Sequence, residues 1–279
     1  MTKVGIFGVG NVGLQLISQL ENCSSCEIVG LFSRSKKDLP HQFYDNCKEL
    51  IDHCDIVVEL IGGITIARDI IFYALSRGKK IVTANKYFLA EFGEIIFPQY
   101  RNSIKFEAAV CSIMPIIRAI DYLQNMEISE ISGILNGTSN YILSQLACDI
   151  TFDQALNSAK QLGYAESDPT FDIEGIDALQ KAQILHFLAF GFWAKDFSSS
   201  KIIYAKKGQK SVTNIVRGKI TIENKFDDNF SSVSDNYNAV NIKTVFAKDF
   251  FLKGIGAGGL ETAYAVKQDI LQFVKDNDI

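Results

Sequence analysis

Histidine is scarce in this chain, with three in 279 residues. No paired C-x2-C pattern accompanies them, so a zinc centre of the usual Cys/His type is not expected. Among the six cysteines, Cys23, Cys26, Cys47, Cys54, Cys111 and Cys148, the "CSSC" at 23–26 stands alone. Reduced thiols are the expectation. No apolar run is long enough to cross a bilayer. Positive charge is not in surplus: the formal charge of −4 gives no general attraction to nucleic acid or an anionic membrane. "MTKVGIFGVG" runs directly into structure with no signal-peptide pattern, so a cytoplasmic location is expected. Neither an internal repeat nor a low-complexity linker is present.

What remains is a globular composition, 47% hydrophobic and 22% charged, in a chain long enough for one large or two ordinary domains. The first hundred residues alternate short apolar strands with helical patterns. "KVGIFG" (3–8), "CEIVGLF" (26–32), "DIVVELI" (55–61), "KKIVTA" (79–84) and "IKFEAAV" (104–110) read as strands. "NVGLQLISQLE" (11–21) and "ARDIIFYALSRG" (67–78) read as helices. This order predicts an α/β fold, a doubly wound Rossmann-type parallel sheet. After residue 114 the pattern changes to a second, α+β domain. Helices are expected at "PIIRAIDYL", at 140–147, at 152–163 and from about 174 to 192. "EISEISGILN" (127–136) and the segments from 201 to 255 are strand-like, and the last 20 residues form one amphipathic helix. The expected domains are 1–113, joined by the helix of 256–279, and 114–255.

"GVGNVG" at 8–13 is G-x-G-x-x-G, placed after a strand and opening a helix. Gly8 permits the tight turn, Gly10 lets backbone approach a pyrophosphate, and Gly13 lets helix and strand pack closely, with Asn11 and Val12 between them. A dinucleotide is the expected ligand. The second strand ends "LFSRSKK", with Ser33, Arg34, Lys36 and Lys37 where NAD-binding proteins carry an acid. A guanidinium at Arg34 suits the 2′-phosphate of NADP. The other reading is a basic surface loop, and NAD stays possible.

"TANK" ends the fourth strand, at the sheet edge where ligands bind, which brings Lys86 into reach of a cofactor. The stretch "GYAESDPTFDIEGIDALQK" (163–181) interleaves acids with apolar residues and runs into an apolar helix. Asp177 and Lys181 are four apart and share a helix face. By spacing alone a surface salt bridge is the favoured reading. Glu166, Asp168 and Asp172 precede the helix. Acids beside a lysine also provide what a zwitterionic substrate and a proton transfer at a carbonyl or alcohol require.

Taken together, "VGIFGVGNVG", "DIVVELIGGI", "VTANKYFLAEFG", "FEAAV…PII", "GILNGTSNYIL" and "QLGYAESDPTFDIEGIDALQKAQIL" closely resemble homoserine dehydrogenase. The resemblance runs from about residue 3 to 192 and returns at "GIGAGGLETAYAV" (254–266). It implies interconversion of aspartate 4-semialdehyde and homoserine with NAD(P)H, in threonine and methionine biosynthesis, by a homodimer paired through the substrate domain. It places Lys181 as the proton donor or acceptor at the C4 oxygen, with Lys86 as a second lysine and Asp172 as an acid also implicated there. Glu166 and Asp177 match substrate-holding acids. Ile61, Gly163 and Gly258 match backbone positions near the cofactor. Glu107, with Val110, Ser112 and Met114, matches the ligands of a monovalent cation such as sodium.

The chain also departs from the family. "CSIMP" (111–115) stands where two glycines commonly precede "IP", Ile255 and Glu261 replace a commonly basic residue and a common proline, and the region after Trp193 is short. The regulatory extension of longer members is not expected, nor is an amino-acid feedback site. Two alternatives are a member that binds NADP without turnover, and a thioester-forming dehydrogenase using Cys111, which would need a histidine base.

Overall fold

The computed structural model describes residues 1–165 and 168–277. It divides into two compact units, one of residues 1–112 with 258–279 and the other of 113–257.

The first unit holds β1 (Thr2–Phe7), α1 (Asn11–Leu20), β2 (Cys26–Phe32), α2 (Cys47–His53), β3 (Ile56–Glu59), α3 (Thr65–Ser76), β4 (Lys80–Thr83), α4 (Lys86–Tyr100), β5 (Ile104–Lys105) and a C-terminal helix, Gly259–Asn277. The strands are almost wholly apolar because both faces of the sheet are covered. They pair in parallel in the order β2-β1-β3-β4-β5. That order changes direction between β1 and β3, which marks the carboxyl ends of those strands as the ligand edge. On one face Leu16, Ile17 and Leu20 of α1 pack with Ala263, Val266, Ile270 and Phe273 of the C-terminal helix over Val4, Ile6 and Val58. On the other, α2 and α3 cover the sheet with Leu50, Ile51, Ile70 and Ala74. The strand expected over 104–110 stops at Lys105 and gives way to a 3-10 turn over Glu107–Ala109. The Glu107 amide donates to Asp269 Oδ2 of the C-terminal helix at 2.8 Å, which takes it out of any ladder.

The second unit contains α5 (Ile116–Leu123), β6 (Ile128–Ile134), α6 (Gly137–Ala147), α7 (Phe152–Gln161), α8 (Thr170–Ile173), α9 (Ile176–Phe190), β7 (Asp196–Ser199), β8 (Lys210–Val216), β9 (Lys219–Lys225), β10 (Tyr237–Thr244) and β11 (Phe250–Ile255). Its sheet runs β11-β10-β6-β8-β9-β7, antiparallel except where β7 joins β9. The sequence gives no sign of β7, "DFSS", because all four residues are exposed and no burial pattern marks it. The helix expected from 174 begins at Ile176, since Gly175 takes a left-handed φ of +77° in which an added Cβ would lie 2.4 Å from Ser199 Oγ. α9 packs on β6, β8 and β9 and against α5.

His186 ties the far end of α9 to its surroundings. It is fully buried, its Nδ1 lies 2.8 Å from the Phe192 carbonyl, and its Nε2 accepts from the Gly218 amide at 2.9 Å. An amide only donates, so the ring is neutral with its proton on Nδ1. Burial pushes its pKa below the ordinary histidine value, against the pull of the carbonyls of Phe192 and Val216. The unfolded chain therefore binds more protons between the lowered folded value and about 6.5. The contribution of His186 is fully present above about pH 6.5 and is lost as pH falls through that window, with a slope of at most about 1.4 kcal/mol per pH unit. Urea unfolding of wild type and His186→Gln from about pH 8 to about pH 5 measures this. The variant is expected to be less stable at the higher pH and to show a flatter profile; parallel profiles would contradict it.

Candidate functional site

The glycine loop lies between β1 and α1, and its three glycines meet different constraints. Gly8 has φ +108°, and a Cβ there would come within 2.5 Å of the Leu60 carbonyl carbon. At Gly13 a Cβ would lie 2.1 Å from the Gly8 carbonyl oxygen. At Gly10 it would meet nothing within 4 Å. The fold itself excludes side chains at Gly8 and Gly13, whereas the bare backbone at Gly10 leaves open space beside it. Asn11 and Val12 begin α1, whose first-turn amides have no partners within the helix and favour an anion. Backbone bare of side chain, next to a helix start, is the surface a pyrophosphate requires.

A pocket of about 570 Å³ opens beside this loop, lined by Gly8, Val9 and Gly10, by Phe32, Ser33, Arg34, Ser35 and Lys37 after β2, and by Leu60–Gly63 and Ile66 after β3. Among the described residues no carboxylate lines it. Arg34 and Lys37 face it, while Lys36 turns to Asp45 at 2.7 Å.

The wall at 60–63 is shaped by a residue that the sequence reading passed over. Glu59, at the end of β3, is fully buried. Its Oε1 accepts from the amides of Ile61 at 2.8 Å and Gly62 at 3.2 Å, and its Oε2 accepts from Thr83 Oγ1 at 2.9 Å. Burial raises its pKa, and the hydrogen bonds from Thr83, Ile61, Gly62 and Asn85 oppose that shift. Asn85 then donates to the Gly63 carbonyl at 2.7 Å and caps α4 by accepting from the Phe88 amide at 3.0 Å. Lys86, half-buried, is the first residue of α4. The available signal was an acid inside an otherwise apolar strand.

In the second unit the Asp177–Lys181 pair is not a surface bridge. Lys181 Nζ lies 2.9 Å from Asp177 Oδ2, each side chain is 10% exposed, and Nζ also donates to the Leu135 carbonyl at 2.7 Å. Asn238, fully buried on β10, donates to the same carbonyl at 3.2 Å. Asn136 joins the acids: its Nδ2 donates to Asp172 Oδ1 at 2.6 Å and to Asp177 Oδ2 at 2.7 Å, while its Oδ1 caps α6 by accepting from Ser139 N at 2.7 Å. Ser139 Oγ donates to the Asp172 carbonyl at 2.9 Å. Lys181, Asp177, Asn136 and the Leu135 carbonyl thus form one buried polar cluster, with the half-buried Asp172 at its edge. Asn136 and Asn238 were missed because an Asn before "GTSN" reads as an ordinary cap and an Asn within a strand carries no signal.

Asp168 is not part of the cluster. It is exposed and accepts from Thr170 Oγ1 at 2.6 Å and Thr170 N at 3.1 Å, which together lower its pKa. Glu166 lies outside the described residues. Gly163, with φ +74°, ends α7, and Tyr164 N closes the turn on the Ala159 carbonyl at 2.9 Å. Gly258 has φ +152°, with the Glu261 carboxylate folded to where a Cβ would be. Glu107 and Ser112 are buried, and Ser112 Oγ is 3.1 Å from Thr262 Oγ1. Val110 follows the 3-10 turn in the first unit, whereas Met114 belongs to the second. Cys111 is buried, and the three histidines are held elsewhere: His41 lies 3.5 Å from Glu21, His53 lies 2.7 Å from the Glu49 carbonyl, and His186 is bound as above. The thioester alternative therefore has no histidine base in this structure. No helix among the described residues is long and apolar enough to cross a membrane.

Comparison with known proteins gives consistent results. A family model described as homoserine dehydrogenase matches residues 115–271, and one described as homoserine dehydrogenase, NAD binding domain, matches residues 8–100. Homoserine dehydrogenase of Neisseria gonorrhoeae is 39% identical over 79% of this chain, and the matched region is 57% of that relative's length. The Synechocystis enzyme is 33% identical over 98% of this chain and 73% of its own. Among solved structures, a homoserine dehydrogenase from Thiobacillus denitrificans superposes with a TM-score of 0.90 at 32% identity, covering 98% of this chain and 73% of that one. A hyperthermophilic archaeal homoserine dehydrogenase in complex with NADPH gives 0.88 at 27% identity, covering 97% of both chains. With both family models matched and close relatives aligned along nearly all of its length, this chain belongs to the homoserine dehydrogenase family.

Proposed function

We propose that the chain interconverts aspartate 4-semialdehyde and homoserine, with NADP as the preferred cofactor. The observation that carries this reading is the buried Lys181–Asp177 pair, anchored on the Leu135 carbonyl. When bound, the nicotinamide supplies or receives the hydride. In the reducing direction negative charge develops on the C4 oxygen, and Lys181 stabilises it and delivers the proton. Asp177 holds the ammonium in place. Asn136 holds Asp172 and Asp177 at fixed separation, which leaves carboxylate density to receive the substrate's ammonium group. Glu166 is assigned to substrate binding by resemblance, and Lys86 assists from the start of α4.

The cofactor would rest on Gly8, Gly10, Asn11, Val12 and Gly13, with Ile61 along the wall and Gly163 and Gly258 contributing backbone. The open side of Gly10 and the pocket lining support this. Arg34 and Lys37, with no acid in the lining, favour a 2′-phosphate. A monovalent cation at Glu107 and the backbone of Val110, Ser112 and Met114 belongs to the same reading, and the burial of Glu107 supports it. So does a homodimer: Val245, Phe246 and Phe251, all exposed, lie on and beside the edge strand β11.

Lys181→Met alone is expected to lower stability by about 3–5 kcal/mol, because it leaves Asp177 buried without its cation. Combining it with Asp177→Asn should recover most of that loss while turnover stays down by about 10²–10⁴-fold. Urea unfolding and NADPH oxidation with aspartate semialdehyde read the two effects separately. Near-normal turnover in the double variant would reduce the pair to a structural bridge. Arg34→Asp should weaken NADP binding by roughly 10–100-fold and NAD binding far less; equal loss for both would remove the specificity argument. In a buffer whose only cation is a bulky organic ammonium, kcat/KM should fall and sodium should restore it. Unchanged activity would exclude the cation.

A further inference from the structure

Cys23 and Cys26 take no part in the polar cluster or in the pocket beside the glycine loop, yet they are built as a pair. α1 ends at Leu20, and Cys23 N donates to the Leu20 carbonyl at 2.9 Å. The chain then turns so that Cys26 N reaches the Cys23 carbonyl at 3.4 Å, with Cys26 as the first residue of β2. Such a turn brings its end Cα atoms within about 7 Å, and a disulfide spans about 4.4–6.8 Å. Ser25 Oγ lies 3.3 Å from Cys23 Sγ and 4.0 Å from Cys26 Sγ, so one hydroxyl is shared between the two thiols.

The two sulfurs differ in the manner that exchange requires. Cys23 is half-buried and Cys26 buried. Burial raises the Cys23 pKa, but hydrogen bonds from Ser25 and Cys26 outweigh it and leave it below the ordinary value. Cys26 is pushed up to about 11, by burial and then by the neighbouring Cys23. Cys54, with no such partner thiol, is pushed up to about 12. One reachable, acidified thiol beside a protected one is the arrangement of an attacking and a resolving cysteine.

We propose that Cys23 and Cys26 form a redox-active dithiol that closes to an intramolecular disulfide by exchange with a low-molecular-weight disulfide such as oxidised glutathione. The Cys23 thiolate attacks one sulfur of that disulfide, whose S–S bond breaks and releases one thiolate. Cys26 then gives up its proton to solvent and attacks the Cys23 sulfur, and the second thiolate leaves. Two protein thiols are oxidised and one small disulfide is reduced to two thiols.

The test equilibrates the full-length protein in buffers of graded oxidised-to-reduced glutathione, followed by acid quench, alkylation of free thiols and peptide mass mapping. The expected product is a 23–26 peptide lighter by two hydrogens, unalkylated, and restored by dithiothreitol. In Cys26→Ser the resolving thiol is gone, so glutathione should accumulate on Cys23, where the wild type retains almost none. The proposal is overturned if both thiols remain alkylatable at every ratio, or if Cys26→Ser holds no more glutathione on Cys23 than the wild type does.

Discussion

In the second unit the Lys181 ammonium sits where little of it reaches solvent. A lone buried ammonium costs several kcal/mol, and a partner carboxylate adds a desolvation cost of its own. Asp177, one turn earlier on α9, supplies the opposite charge, and the Leu135 carbonyl at the end of β6 accepts a second bond. Asp177 must in turn be satisfied, and Asn136 does this with the amide end of a side chain whose carbonyl end caps α6. The same amide reaches Asp172, so the requirement passes from α9 to the α8 segment. Removing any member takes a hydrogen bond from a neighbour in a low-dielectric setting, where the cost is highest. A cluster of this kind fixes its geometry before any substrate arrives, which is what a positioned acid–base group needs.

The first unit applies the same constraint with a single carboxylate. Glu59 is an acid at the end of an apolar strand, and the only way to bury it is to surround it with donors. The nearest donors are the amides of the following loop and the hydroxyl of Thr83 on the adjacent strand. The loop therefore curls back over the end of β3, and its outer side becomes a pocket wall. Asn85 repeats the arrangement seen at Asn136: one end of the amide caps a helix, and the other ties down a neighbouring element.

The two units were unequally legible in the sequence. The βα order and the glycine loop are local, and their residues do in the structure what short-range sterics demand; of the loop's three glycines, Gly10 is the one whose missing side chain no packing contact explains. The strand expected at 104–110 is present but ends at Lys105, because the backbone beyond it is held by Asp269, a residue distant in sequence. β7 failed because an exposed edge strand bears no hydrophobic pattern. At the candidate site, helical spacing put Asp177 and Lys181 on one face but could not reveal that the face is buried, and so it favoured a surface bridge. Asn136 and Asn238 were silent for the same reason, since an amide side chain acquires meaning only from what lies across from it.

A comparison with the other buried lysine shows why burial alone does not designate a chemical group. Lys210 is as enclosed as Lys181, and burial lowers its pKa, partly offset by Asp235. Its ammonium donates to Asn140 Oδ1 at 3.1 Å, Ser144 Oγ at 3.1 Å and the Val233 carbonyl at 2.6 Å. An ammonium has three donors, and all three are spent on neutral acceptors that join β8, α6 and the chain before β10. With no carboxylate bound to it, Lys210 is a cross-link, held by groups that neither take a proton nor tune one. Lys181 is bound to a carboxylate that is itself held by an amide and linked through it to a second acid. The Lys210 set, by contrast, contains no carboxylate hydrogen-bonded to the ammonium. The difference lies in the partners rather than in the lysines.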